Sequence, residues 1–182
     1  MEIIDNKISK IIFITGGTKS GKSQFAEYLA CKIKKITYIA LSDSRPDDLL
    51  WQKKILIHRE RRPKEWDLVE TTNLINALKM KKGPLLIDSI GGFIMENINK
   101  KEEEWEKNIF ALINLLKERE KTTIIVGEQV GWSLVSEYEI GNRYIERLGT
   151  LQNKITKISH ENWLTLNGKA IKLDNISFDI PI

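Results

Sequence analysis

The chain has 182 residues, 41% of them hydrophobic and 30% charged, a balance that suits one soluble globular domain and argues against a disordered chain. Its formal net charge of +4 is carried without long runs of one sign, which favours an anionic ligand and argues against a nucleic-acid-binding stripe. A single cysteine excludes an intrachain disulfide framework. With no apolar run long enough for a bilayer and no leader profile in residues 1–10, a cytoplasmic location is expected.

The first predicted element is also the most informative. Ile11-Ile12-Phe13-Ile14 is an apolar strand that runs into Gly16-Gly17-Thr18-Lys19-Ser20-Gly21-Lys22-Ser23, a G-x-x-x-x-G-K-S phosphate-binding loop. Glycines at this spacing let successive backbone N–H groups turn inward around phosphate oxygens, Lys22 reaches the β- and γ-phosphates, and the Ser23 hydroxyl can ligate Mg²⁺. The helix from Lys22 toward Ile33 carries Phe25, Ala26, Leu29 and Ile33 on one face and adds the positive end of its dipole.

Next come a strand over Ile36–Ala40, a helix over Asp47–Arg61 stopped by Pro63, and a short strand over Trp66–Glu70. Thr72 or Asn73 can cap a helix through Leu78, and Pro84–Asp88 is a buried strand. Residues 102–119 repeat Trp105, Ile109, Leu112, Ile113 and Leu116 at helical spacing, and Thr122–Val126 is another buried strand. From Glu137 a long amphipathic helix presents Ile140, Tyr144, Leu148, Leu151, Ile155 and Ile158. Trp163–Leu173 is a hairpin whose Asn167-Gly168 pair suits a type I′ turn. Strands alternating with helices predict an α/β domain of P-loop NTPase type. Its mostly parallel sheet is flanked by helices, with the hairpin as an antiparallel edge. One domain over 1–182 is expected, with 1–9 and 174–182 as surface tails.

Two further features carry chemistry. Asp88 ends an apolar strand, where an acid holds Mg²⁺ directly or through water; the alternative is that it caps the following helix. In His58-Arg59-Glu60-Arg61-Arg62-Pro63, three arginines within four residues can pair with phosphates, and a histidine kept neutral by cationic neighbours can attack phosphorus. Read alone, a histidine at a basic helix end is more often a solvated residue, so His58 by itself points weakly to catalysis.

Together, the loop Gly16–Ser23, Tyr38-Ile39-Ala40, His58–Pro63 with Trp66 and Glu70, Leu86-Ile87-Asp88 and Asn97 resemble the bifunctional adenosylcobinamide kinase / adenosylcobinamide-phosphate guanylyltransferase family. The resemblance continues more faintly through Val130-Gly131, Val135, Gly149 and the final hairpin. It implies phosphorylation of adenosylcobinamide by a nucleoside triphosphate, followed by transfer of GMP from GTP through a histidine to give adenosylcobinamide-GDP. On that resemblance His58 is the guanylylated residue and Lys22 assists transfer. Gly16–Ser23, Ala40, Leu41, Ser42, Arg59, Glu60, Arg61, Arg62, Glu70 and Asp88 contact nucleotide, and Ser23 and Asp88 hold the metal. GTP, ATP and Mg²⁺ are the implied cofactors, and a homotrimer the implied assembly.

The chain departs from the family pattern where the resemblance thins. Glu128-Gln129-Val130-Gly131 stands for Asn-Glu-Val-Gly, so a carboxylate has moved by one position or been lost. Ser136 replaces a proline, Glu146 and Gln152 replace Asp and Asn, and Leu41 replaces a threonine. Two other readings stay open at this point: a GTP-binding relative without transferase activity, and a P-loop kinase for another small alcohol.

Overall fold

The computed structural model describes residues 10–41, 62–132 and 135–180; the expected helix Asp47–Arg61 lies outside them. Within them the order is β1 Ile11–Gly16, α1 Lys22–Ala30, β2 Thr37–Ala40, β3 Asp67–Glu70, α2 Leu74–Met80, β4 Leu85–Asp88 and α3 Gly91–Asn97. Then follow α4 Glu102–Lys117, β5 Thr123–Glu128, α5 Glu139–Ile158, β6 Glu161–Leu166, β7 Lys169–Lys172 and a 3₁₀ turn over Leu173–Asn175.

Among the described residues the strands form one seven-stranded sheet in the order β3-β2-β4-β5-β1-β6-β7. All neighbours are parallel except β6 and β7, which form the expected antiparallel edge. The turn between them has Asn167 at φ 50° and Gly168 at φ 76°, the two positive angles a type I′ hairpin requires.

The strands read as continuous apolar runs because both faces of the sheet are covered. Ile11, Phe13, Ile39, Leu85, Ile87 and Ile125 point to the face packed by α2, α3, α4 and α5. Ile12, Ile14, Tyr38, Leu86, Ile124 and Val126 point to the other, where α1 contributes Ala26, Leu29 and Ala30. The α4 stripe is buried through Trp105, Ile109, Leu112 and Leu116 as its spacing predicts. Asn73 is the cap of α2, its side chain accepting from Asn76 N at 2.9 Å.

Three differences from the predicted elements have local causes. The helix α3 lies between Asp88 and residue 102, where the sequence reading names no element. A Cβ on Gly92 would lie 2.2 Å from the Leu41 carbonyl oxygen, so the glycine lets α3 start hard against the end of β2. The helix α5 begins at Glu139, which leaves Ile140 half exposed rather than on the buried face. And β5 continues past Val126 through Gly127 to Glu128. Gly127 permits that extension: a Cβ there would meet the Phe13 ring at 2.8 Å and Gln152 Nε2 at 3.0 Å.

Trp105 anchors the helical layer. It is buried, lies 6.0 Å from the Phe93 ring and carries the Arg147 guanidinium 4.9 Å from its own ring centroid. Arg147 in turn donates to the carbonyls of Asn97 at 2.7 Å and Lys100 at 2.9 Å, satisfying the C-terminal end of α3. Trp105→Ala should therefore cost about 3–5 kcal/mol of stability, read as a lowered urea midpoint with an unchanged slope.

Candidate nucleotide site

The carboxyl ends of the parallel strands gather the predicted residues. In the sheet register Glu70 pairs with Ala40 and Ala40 with Asp88, while Gly16 pairs with Glu128 two residues further on, so five neighbouring strands end at the side of the sheet from which the loop leaves. The loop itself is shaped by left-handed backbone at Lys19, φ 58°, and Gly21, φ 100°. No side chain caps α1 and no acid stands in its first turn, so the N–H donors there are available to an anion.

Lys22 folds back over the loop and donates from Nζ to the Gly17 carbonyl at 2.7 Å. Burial lowers its ammonium below the ordinary lysine range, against the pull of Glu128 first and Asp88 second. Ser20 faces the other way. Its hydroxyl pairs with Thr165 at 2.8 Å and its carbonyl accepts from Gly168 N at 3.1 Å, which seats the β6–β7 hairpin on the outside of the loop. Gly16 is part of that seat, since a Cβ there would lie 2.3 Å from the Thr165 carbonyl oxygen. Thr18 and Lys19 are exposed, and Gly17 and Ser23 are half-buried.

Asp88 does not cap α3, which begins without a side-chain cap. Its Oδ2 instead accepts from the Tyr38 hydroxyl at 2.8 Å, and among the described residues Oδ1 has no hydrogen-bond donor. Tyr38 is buried, and burial and the Asp88 charge together push its phenol well above the usual range, so it stays a neutral donor. The Arg62 guanidinium stacks 3.7 Å over the Tyr38 ring, which ties the end of the basic block to the metal-type carboxylate. A carboxylate and a hydroxyl are hard oxygen donors of the kind Mg²⁺ takes, with phosphates and water completing its shell. Asp88 Oδ1 and Ser23 therefore fit that ion.

Glu128 is the residue that sequence reading set aside. Its carboxylate accepts from the Ser89 hydroxyl and from Gly91 N, the latter at 3.2 Å, and its backbone carbonyl accepts from Gln152 Nε2 at 2.6 Å. Burial raises its pKa, against the hydrogen bond from Ser89. Tyr144 stands beside it, its phenol pushed up by burial and by the Glu128 charge. The displaced carboxylate is thus present at the strand end. The signal for it was the continuation of an apolar strand through a glycine to an acid.

The structure brings together Gly16–Ser23, Ala40, Glu70, Asp88 and Arg62 at one edge of the sheet. Leu41 follows them in the chain, but its side chain is buried in the apolar core. His58, Arg59, Glu60, Arg61 and Ser42 lie outside the described residues.

A family model described as cobinamide kinase / cobinamide phosphate guanyltransferase matches residues 12–173. The chain is 25% identical over 181 residues to the bifunctional adenosylcobalamin biosynthesis protein CobU of Escherichia coli (strain K12), covering 90% of this chain and 99% of that one. It is 26% identical over 168 residues to the bifunctional adenosylcobalamin biosynthesis protein CobP of Pseudomonas aeruginosa, covering 88% and 95%. Among solved structures, a Pyrococcus horikoshii OT3 protein superposes with a TM-score of 0.55 at 8% identity, over 96% of this chain and 93% of that one. An ATPase of the type III secretion system of pathogenic bacteria superposes with a TM-score of 0.52 at 13% identity, over 86% and 51%. At such identities these two likenesses speak for the fold alone.

Proposed function

The chain belongs to the cobinamide kinase / cobinamide phosphate guanyltransferase family, and from that premise we propose that it phosphorylates the hydroxyl of adenosylcobinamide and then guanylylates the new phosphate. The observation that carries this reading is Lys22 at the uncapped start of α1, its Nζ resting on the Gly17 carbonyl at 2.7 Å, with Asp88 and Glu128 at the ends of the neighbouring strands β4 and β5. That is a place for a triphosphate whose terminal group is to be moved.

In the first step the loop Gly16–Ser23 holds the phosphates of ATP or GTP through backbone N–H groups, and Lys22 leaves the Gly17 carbonyl to neutralise charge on the γ-phosphoryl group. Ser23 and Asp88 would hold Mg²⁺, which when bound would neutralise phosphate charge. Tyr38 holds the Asp88 carboxylate through Oδ2 and leaves Oδ1 for the ion. In the second step His58 displaces pyrophosphate from GTP, forming an N–P bond to GMP as the bond between the α-phosphorus and its bridging oxygen breaks. The phosphate made in the first step then displaces the histidine. Arg59, Arg61 and Arg62 pair with phosphate oxygens, and Ala40, Leu41 (through its backbone), Ser42, Glu60 and Glu70 line the nucleotide. The assembly in this reading is a homotrimer acting in the cytoplasm.

The direct test is to incubate the protein with adenosylcobinamide, GTP and Mg²⁺ and follow the corrinoid by mass spectrometry. The expected result is gain of one phosphate, then of one GMP. An unchanged corrinoid, with GTP still bound by calorimetry, would overturn the assignment.

A further inference from the structure

The geometry points to Glu128 as the group that takes the proton of the attacking hydroxyl in the phosphoryl-transfer step. This rests on the kinase reading above and adds a residue to it.

Four observations lead there. First, β5 lies between β1, which carries the loop, and β4, which carries Asp88, so its end closes the space between them. The attacking oxygen must enter in line with the γ-phosphorus, from the side away from the bridging oxygen that leaves. With the phosphates held in the loop after β1, the ends of β4 and β5 are the neighbouring strand ends that an incoming hydroxyl would meet. Second, of the two carboxylates acting on the Lys22 ammonium, Glu128 exerts the larger pull. The two side chains are thus electrostatic neighbours, one at the end of β5 and the other at the start of α1. Third, the side chain is held before any substrate arrives, by Ser89 Oγ on one oxygen and Gly91 N on the other, while Gln152 fixes its backbone. A carboxylate oxygen has two lone-pair sites, so each retains one for a substrate hydroxyl. Fourth, Gly91 lets the start of α3 lie directly against the carboxylate without covering it with a side chain: a Cβ there would lie 2.8 Å from both Glu128 oxygens.

The step balances without a further reactant. The O–H bond of the acceptor breaks and its proton passes to a Glu128 oxygen. The freed electron pair forms the new O–P bond. The bond from the γ-phosphorus to the β,γ-bridging oxygen breaks, and its electrons leave on the nucleoside diphosphate. Glu128 returns the proton to water when product departs.

Glu128→Gln separates this role from a structural one. The amide oxygen can still accept from Gly91 N, and the amide NH₂ can donate to Ser89 Oγ, so the turn between β4 and α3 keeps both its contacts. The expected result is a fall in kcat for adenosylcobinamide phosphorylation of about 10²–10⁴-fold, the usual contribution of a positioned base, with GTP affinity within about threefold and an unchanged Tm. In Glu128→Ala, added formate should restore part of the turnover. A fall of less than tenfold in the glutamine variant overturns the proposal, as does a parallel loss of GTP affinity. A wild-type protein that binds GTP yet never phosphorylates the corrinoid is a different result: it removes the kinase reading, and this role with it.

Discussion

Lys22→Ala is expected to abolish both transfer steps and to weaken GTP binding while leaving the fold at least as stable. The binding loss follows from one charge-assisted hydrogen bond to phosphate, about 1.5–3 kcal/mol, or roughly 10- to 150-fold in Kd. The rate loss should be larger, because charge grows on the transferring group and Lys22 is the cation placed to meet it; removing one such donor costs about 10²–10³-fold. The stability expectation follows from the sign of the pKa change. Burial holds the folded-state value below the ordinary lysine value. The ammonium is therefore better accommodated in the unfolded chain, and at every pH below the folded-state value Lys22 subtracts from stability. Removing it relieves that net cost, which already includes the attraction of Glu128 and Asp88, and the bond to the Gly17 carbonyl at 2.7 Å is lost in return. Calorimetric titration with GTP, beside a thermal melt in the absence of nucleotide, checks both halves. A variant that melts well below wild type would mean that Lys22 braces the loop rather than waiting for phosphate.

His58→Asn tests the second half of the reaction. Wild-type protein mixed with GTP and Mg²⁺ should gain one GMP in the intact mass, and the adduct should vanish in acid and survive base, as a phosphoramidate does and a serine or threonine ester does not. The asparagine variant should show no adduct while GTP binding through the loop persists. His58 lies four residues before Arg62, whose guanidinium rests on Tyr38, whose hydroxyl in turn holds Asp88. That chain of contacts ties the end of the basic block to the edge where the triphosphate would lie. If wild type never acquires the adduct, a GTP-binding relative without transferase chemistry becomes the better account.

The loop, the parallel sheet and the edge hairpin were legible because each is written locally. Gly16–Ser23 is a contiguous motif, Leu85–Ile87 and Ile124–Val126 are apolar runs of strand length, and Asn167-Gly168 specifies its own turn. What escaped depends on close approach across long separations. Nothing near Gly92 announces that the Leu41 carbonyl will press against it, so α3 was invisible. Nothing near Gly127 announces Phe13 and Gln152, so β5 was ended two residues early and Glu128 was taken for a shifted or lost group. That Asp88 leaves α3 uncapped and instead accepts from Tyr38 likewise depends on a neighbouring strand.

The central place of β1 has a consequence for how the protein comes to exist. Ile12 pairs with Ile124 on one side and Glu161 on the other, and Ile11 N donates to His160 Nδ1 across a separation of 149 residues. The strand that leads into the phosphate loop is therefore translated early and completed late. Ordering it requires closing very long loops, the slow entropic part of folding for a sheet of this connectivity. During synthesis the motif emerges from the ribosome long before the strands that shape it, and its exposed apolar run has to await them. Under the proposed function triphosphate would bind only the finished arrangement, and by mass action it would act as a latch on the last stage of maturation. The nucleotide pool would then bear on how much of this protein persists in the folded state as well as on how fast it works.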